Sequence, residues 1–217
     1  MNKEVIKKTW VISLFWGALW GIAEATLGYL AHLVTVIPGI AGFIMFPIGF
    51  YFMTRAYRET GKLSALFNTA AVAAGIKLVD LFLPALSPIK TINPAVAILM
   101  EGLVLIVIYK VLQKSRRTFG FPEALLAASG WRVGFIFYSA LLLVFSIGDE
   151  FFGVVNISRF LILESIINAV IIAAYLKAAK SLKRSRAWWF ASGSAVGPAL
   201  SFTAFAAAIL IKFILVG

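Results

Sequence analysis

The sequence predicts an all-α, multi-pass integral membrane bundle of about seven transmembrane helices, six being the alternative count, forming a single transmembrane domain over residues 1–217. Three observations carry this. The 217 residues are 62% hydrophobic and only 13% charged, with a mean hydropathy of +0.97, whereas soluble domains are about half apolar and a quarter charged. Apolar runs of the roughly 20 residues needed to cross the hydrocarbon core recur along the whole chain. The lysines and arginines fall on alternate connections between those runs.

The first span is 10–34. Its leader MNKEVIKKTW resembles a signal-peptide n-region, but the apolar run that follows exceeds an h-region of roughly 7–15 residues and no short cleavage site closes it. The span is therefore read as retained. The second, 37–54, follows the turn TVIPG (35–39), and the third, 64–85, follows RAYRETGK (55–62). The fourth, 94–112, follows SPIKTINP (87–94), whose prolines read as a break. FGFPEALLAASG (119–130) reads as a connector, or as a lengthening of the fifth element, which is placed at 131–152. GVVNIS (153–158) leads into the sixth, 158–178. The seventh, 189–216, is rich in small residues and is expected to kink at Pro198.

Sixteen of the twenty basic residues lie at the N-terminus or on the second, fourth and sixth connections, with Arg132 counted among them. Lys90, Arg159 and Lys212 fall toward the other side, and Lys77 inside a span. The positive-inside rule then places the protein in the cell membrane with a cytoplasmic N-terminus and, after seven spans, an external C-terminus. Trp10, Trp131, Trp188 and Trp189 fall at the expected inner boundaries. The basic excess of +11 is a topology signal aimed at anionic lipid, and the basic residues form no single face suited to nucleic acid. The absence of cysteine excludes disulfides, thiolate metal sites and cysteine nucleophiles.

No catalytic motif is present, and no cofactor is expected. Ser192 and Ser194 are expected near the opposite membrane face from His32, the one histidine, which is read as an interfacial residue, so no serine–histidine pair is expected; no His-Glu-x-x-His or Walker A sequence occurs. Intramembrane ionisable groups carry the functional signal instead, because in hydrocarbon they face interiors or wet cavities. Glu24, Asp80, Glu101 and Glu164 come from four different spans, with Lys77 three residues from Asp80 on one helical face. Set against one span lysine, the four carboxylates read as an acidic surplus that lines an outward cavity for a small cation, with Lys77 and Asn168 nearby. The plainer readings are a neutral, hydrogen-bonded Glu24 and a simple Lys77–Asp80 ion pair. Arg159 could pair with Asp149, Glu150 or a substrate carboxylate. The identity of any metal is not legible.

Small-residue stripes supply packing surfaces: Gly17, Gly21 and Ala25; Ala70 and Ala74, with Ala71 and Gly75; and Gly193, Gly197 and Ser201, with Ala191, Ala195, Ala199 and Thr203. They serve either internal packing or a membrane partner. A compact chain with GALWGIAEA, AAVAAG and polar groups gathered to one side resembles the substrate-binding S components of energy-coupling factor (ECF) transporters. That resemblance implies capture of a vitamin or metal ion from outside, a separate ECF transmembrane partner that meets the early small-residue stripes, and ATPase subunits. The family has six spans and a cytoplasmic C-terminus, and its nickel and cobalt branch has a histidine beside the N-terminus that MNKEV lacks. No site residue is carried over from it. The expected function is thus an S-component-like subunit that binds a small cationic or zwitterionic solute. A stand-alone proton- or cation-coupled carrier and a non-transporting assembly factor are the alternatives.

Overall fold

The computed structural model describes residues 3–28, 40–83, 88–145, 156–184 and 196–216. Seven helices are found there, six of them long and apolar enough to cross a membrane; the protein is a multi-pass membrane protein. They are α1 (Lys3–Ala23, continued by a wide π-helical turn Glu24–Gly28), α2 (Ile40–Thr60), α3 (Ser64–Leu78, closed by a 3₁₀ turn Val79–Phe82) and α4 (Pro88–Ser115). They continue with α5 (Phe121–Val144), α6 (Glu164–Arg184, entered through a second π-helical turn Arg159–Leu163) and α7 (Pro198–Val216). His32, the TVIPG turn, Asp149, Glu150, Trp188, Trp189, Ala191, Gly193 and Ala195 lie outside the described residues.

The largest departure from the expected spans is α5, which begins ten residues before Trp131. Residues 121–130 lengthen the fifth element, the second of the two readings of FGFPEALLAASG, and of that stretch only Phe119 and Gly120 stay in the connection. Pro122 falls in the first turn, where a missing N–H costs nothing, and the Glu123 carboxylate accepts a hydrogen bond from the backbone N–H of Gly120 at 2.9 Å. Arg132 therefore stands some 17 Å inside the helix rather than at its mouth. Likewise, the prolines of SPIKTINP do not interrupt α4: Pro88 opens it and Pro94 is accommodated within it. Pro198 is the first residue of α7 and kinks nothing. At the start of α6, Asn156 caps the turn by accepting the N–H of Arg159 through its side chain at 3.1 Å.

Helix α2 is the hub, touching α1, α3, α4 and α6. Its Phe46, Phe50 and Met53 are fully buried in a core shared with Leu66, Leu105, Trp131 and Ile172. Around it the order is α1, α3, α4, α5, α6, and α7 lies on the outer side of α1. Close backbone approach fixes several of these contacts. A Cβ on Gly17 or Gly21 would fall 2.6 Å from Val72 or Ile76, and one on Gly102 2.7 Å from Ala70. The first stripe is thus occupied by α3, and Ala70 and Ala74 are likewise buried. Gly75, in contrast, faces open space. On α7 the Ser201 hydroxyl donates to the Val11 carbonyl at 2.8 Å, while Ala199 and Thr203 are exposed.

Consecutive helices α1 to α6 alternate in direction, and α7 runs parallel to α1. Ser201 lies beside Val11, and eleven residues later Lys212 reaches Asp80 near the far end of α3. The N-terminus, the 60–64 turn, the 115–121 turn and the end of α6 therefore share one basic face. Trp10 is half exposed near it, but Trp131 is a core residue, 4% exposed, and not part of an interfacial belt.

Candidate functional site

All six sequence-predicted site residues are buried: Glu24, Lys77, Asp80, Glu101, Glu164 and Asn168. They join two residues that the sequence reading placed elsewhere, Arg132 and Lys212, also buried. The acidic surplus is accordingly corrected. Glu24, Asp80, Glu101 and Glu164 are matched by Lys77, Lys212 and Arg132 in the interior and by the partly exposed Arg159. The reason is tertiary: Arg132 moves to mid-helix with the earlier start of α5, and the parallel course of α7 brings Lys212 inward.

These groups form two clusters. In the first, the 3₁₀ turn after α3 presents Asp80, whose Oδ2 accepts hydrogen bonds from Lys77 Nζ and Lys212 Nζ, both at 2.9 Å. Its Oδ1 is buried without a hydrogen-bond partner. The Lys77–Asp80 pair is therefore real but not closed, since a second ammonium from α7 shares the same oxygen. Glu24, on the π-helical turn of α1, lies in the field of both lysines and of Asp80.

In the second cluster, Arg132 is clamped from several sides. Its Nη1 donates to the Ala128 carbonyl at 2.9 Å and its Nη2 to Asn168 Oδ1 at 2.7 Å. The guanidinium carbon lies 4.5 Å from the Trp131 ring centroid and 5.3 Å from that of Phe160, within cation–π range. Glu164 stands 3.6 Å from Nη2, an ion pair just beyond hydrogen-bond length, and 4.0 Å from Arg159 Nε on its other oxygen. Gly42 of α2 leaves room for this pair, its missing Cβ falling about 4 Å from both partners.

Asn168 ties that cluster to the hub. Pro47 interrupts α2 and has no N–H to give the carbonyl four residues earlier, that of Phe43. Asn168 Nδ2 supplies the missing donor at 2.8 Å. One side chain thus satisfies a proline-freed carbonyl with its amide nitrogen and holds Arg132 with its amide oxygen. Glu101 of α4 is buried as well and lies in the fields of Glu24, from the first cluster, and Arg132, from the second. The result is a polar belt across the bundle, drawn from α1 and α3 to α7.

Several belt atoms are buried with no hydrogen-bond partner: Glu101 Oε2, Glu164 Oε2, Asp80 Oδ1, Arg132 Nε and Trp131 Nε1. In a low-dielectric interior each such atom is costly, and together they offer both donors and acceptors. Among the described residues no group of three histidine, cysteine or acidic side chains is placed to hold a metal ion. The two cavities described lie elsewhere, one between α4 and α5 and one between residues 119–121 and α6. No protein-family model, curated protein or solved structure matches this chain.

Proposed function

We propose that this chain is the solute-binding membrane subunit of a transporter, similar in role to an ECF S component, which captures a small polar solute on the side opposite its basic face and relies on partner subunits for energy. The reading rests on one observation: charged and amide side chains from α1, α3, α4, α5, α6 and α7 meet in a buried belt with unpartnered donors and acceptors. Such a belt is expensive to maintain in a membrane interior for packing alone. Because carboxylates and cations in the belt balance, a zwitterion fits better than a bare cation, which would leave one positive charge uncompensated. Arg132 Nε and Trp131 Nε1 would receive an anionic group, and Glu101 and Glu164 a cationic one. The basic face lies in the cytoplasm on this reading, which puts the N-terminus inside the cell membrane and the C-terminus outside.

Pull-down of the tagged chain from its native membrane tests the proposal. Recovery of a transmembrane partner and ATPases, with a solute that leaves on Glu101→Gln or Glu164→Gln substitution, supports it. Gradient-driven flux by the chain alone in liposomes would make it a secondary carrier. A partner without any bound solute would make it an assembly factor.

A further inference from the structure

A second surface lies away from the belt. Between the C-terminal half of α4 and the start of α5 runs an apolar groove of about 560 Å³, walled by Leu103, Val107, Val111 and Leu126 and reaching Arg117 at the basic face. These four apolar residues are all more than half exposed. From Leu103 to Ser115 the groove follows α4 for roughly 18 Å, slightly more than one leaflet of a hydrocarbon core about 30 Å thick. Its basic end is shaped by an unusual turn. Arg116 has φ +54°, the left-handed position that closes a helix and that glycine fills at least cost, and the Arg117 N–H bonds back to the Leu112 carbonyl at 3.2 Å. The chain thus holds an arginine where a side chain is disfavoured, and the turn sets Arg117 on the groove. Lys114 is exposed beside it. Glu123 also lines the groove, and its carboxylate is engaged by the Gly120 N–H at 2.9 Å.

We propose that this groove is a binding site for one anionic phospholipid: an acyl chain lies along α4 between Leu103 and Val111, and the phosphate sits on Arg116 and Arg117. The occupant is a lipid rather than a protein helix because the apolar channel is one leaflet long and ends at Arg117, with the exposed Arg116 next to it in the chain. That is the polarity of a lipid read from tail to head. The site is independent of the transport proposal.

Native mass spectrometry of the full chain released from bilayers of mixed phosphatidylglycerol and phosphatidylcholine reads it out. The wild type should retain one phosphatidylglycerol in preference to phosphatidylcholine. With basic side chains near a membrane worth about 1 kcal/mol each, an Arg116→Gly, Arg117→Gln double variant should bind it about thirtyfold less tightly. Arg116→Gly alone should also raise Tm, because it relieves the left-handed turn, so loss of lipid is not loss of fold. Val107→Trp should block the channel, and Lys177→Gln with Lys180→Gln, on the same face but off the groove, should change nothing. Equal retention by the arginine variant, an equal loss from the Lys177 and Lys180 control, or no effect of Val107→Trp would each overturn the site. So would displacement by millimolar glycerol phosphate, which has no acyl chain, or cross-links from a partner protein to Val107 and Leu126.

Discussion

Substituting Asn168 with alanine removes two hydrogen bonds at once, and the structure allows them to be weighed separately. The bond from Arg132 at 2.7 Å is charged, and such bonds contribute about 1.5–3 kcal/mol in soluble proteins. The bond to the Phe43 carbonyl at 2.8 Å is neutral; interhelical hydrogen bonds of this kind in membrane proteins average about 0.6 kcal/mol and reach about 1.7. Asn168→Ala should therefore destabilise the bundle by about 2–4 kcal/mol, with the Arg132 bond the larger part. The smaller part has a signature of its own. Pro47→Ala restores an N–H that can donate to Phe43 within α2, so Asn168→Ala should cost about 1 kcal/mol less in that background. Reversible unfolding of the four proteins in mixed micelles, followed by circular dichroism, completes the cycle and subtracts whatever Pro47→Ala does alone. Additivity within about 0.3 kcal/mol, the behaviour of independent sites, would refute the account of Asn168 as the donor that Pro47 lacks.

The remaining expectations concern charge, packing and topology. Asp80→Asn leaves two buried ammonium groups facing each other without their anion and should cost about 3–5 kcal/mol. Lys212→Met leaves the Lys77–Asp80 pair intact and should cost less, so equal losses in a detergent melt would count against the shared carboxylate. Glu101→Gln and Glu164→Gln should fold and yet weaken solute binding by about 1–3 kcal/mol, checked by calorimetry once a solute is in hand; normal binding and transport would remove these residues from the site. Gly49→Ala forces a methyl group against the Trp20 ring. Overpacking of that kind should cost about 1–3 kcal/mol, and an unchanged melt would mean that α1 and α2 separate freely there. Reporter fusions at residues 60, 116 and 183 should report cytoplasm and a C-terminal fusion the outside; a cytoplasmic C-terminus would contradict the parallel course of α1 and α7.

Hydropathy made the helical class and most of the spans legible, because the length of an apolar run is a local property. Two of the misplaced helix starts, those of α4 and α5, turned on proline. SPIKTINP and FGFPEALLAASG contain residues that interrupt a helix interior but are tolerated near its start, and only the completed helix shows which case applies. The six candidate residues were chosen by their depth, which alternation along the chain reveals, and all six are buried. Arg132 was missed because its depth depended on the start of α5, although Pro122 followed by Glu123 is the kind of first turn that signals such a start. Lys212 was missed for a different reason. Its partner is 132 residues away, and nothing near it in sequence says that α7 runs alongside α1. A zwitterion already stood beside a cation among the expected solutes; the charge balance on which we propose the zwitterion depends on those two cations.

The two π-helical turns have a mechanical consequence. Glu24 begins one and Glu164 follows the other, so each carboxylate is mounted at a place where the helix holds one residue too many for its regular pitch. Such a surplus residue can migrate along a helix by exchanging one hydrogen bond at a time, without the helix unwinding. Each step would turn the side chains it passes by roughly 100° about the axis. A carboxylate so mounted can be swung toward or away from its neighbours by a screw motion confined to one turn, while the rest of its helix stays seated. Deleting a single residue from 25–28 should remove the surplus and hold Glu24 at one end of that motion, in a bundle that still folds.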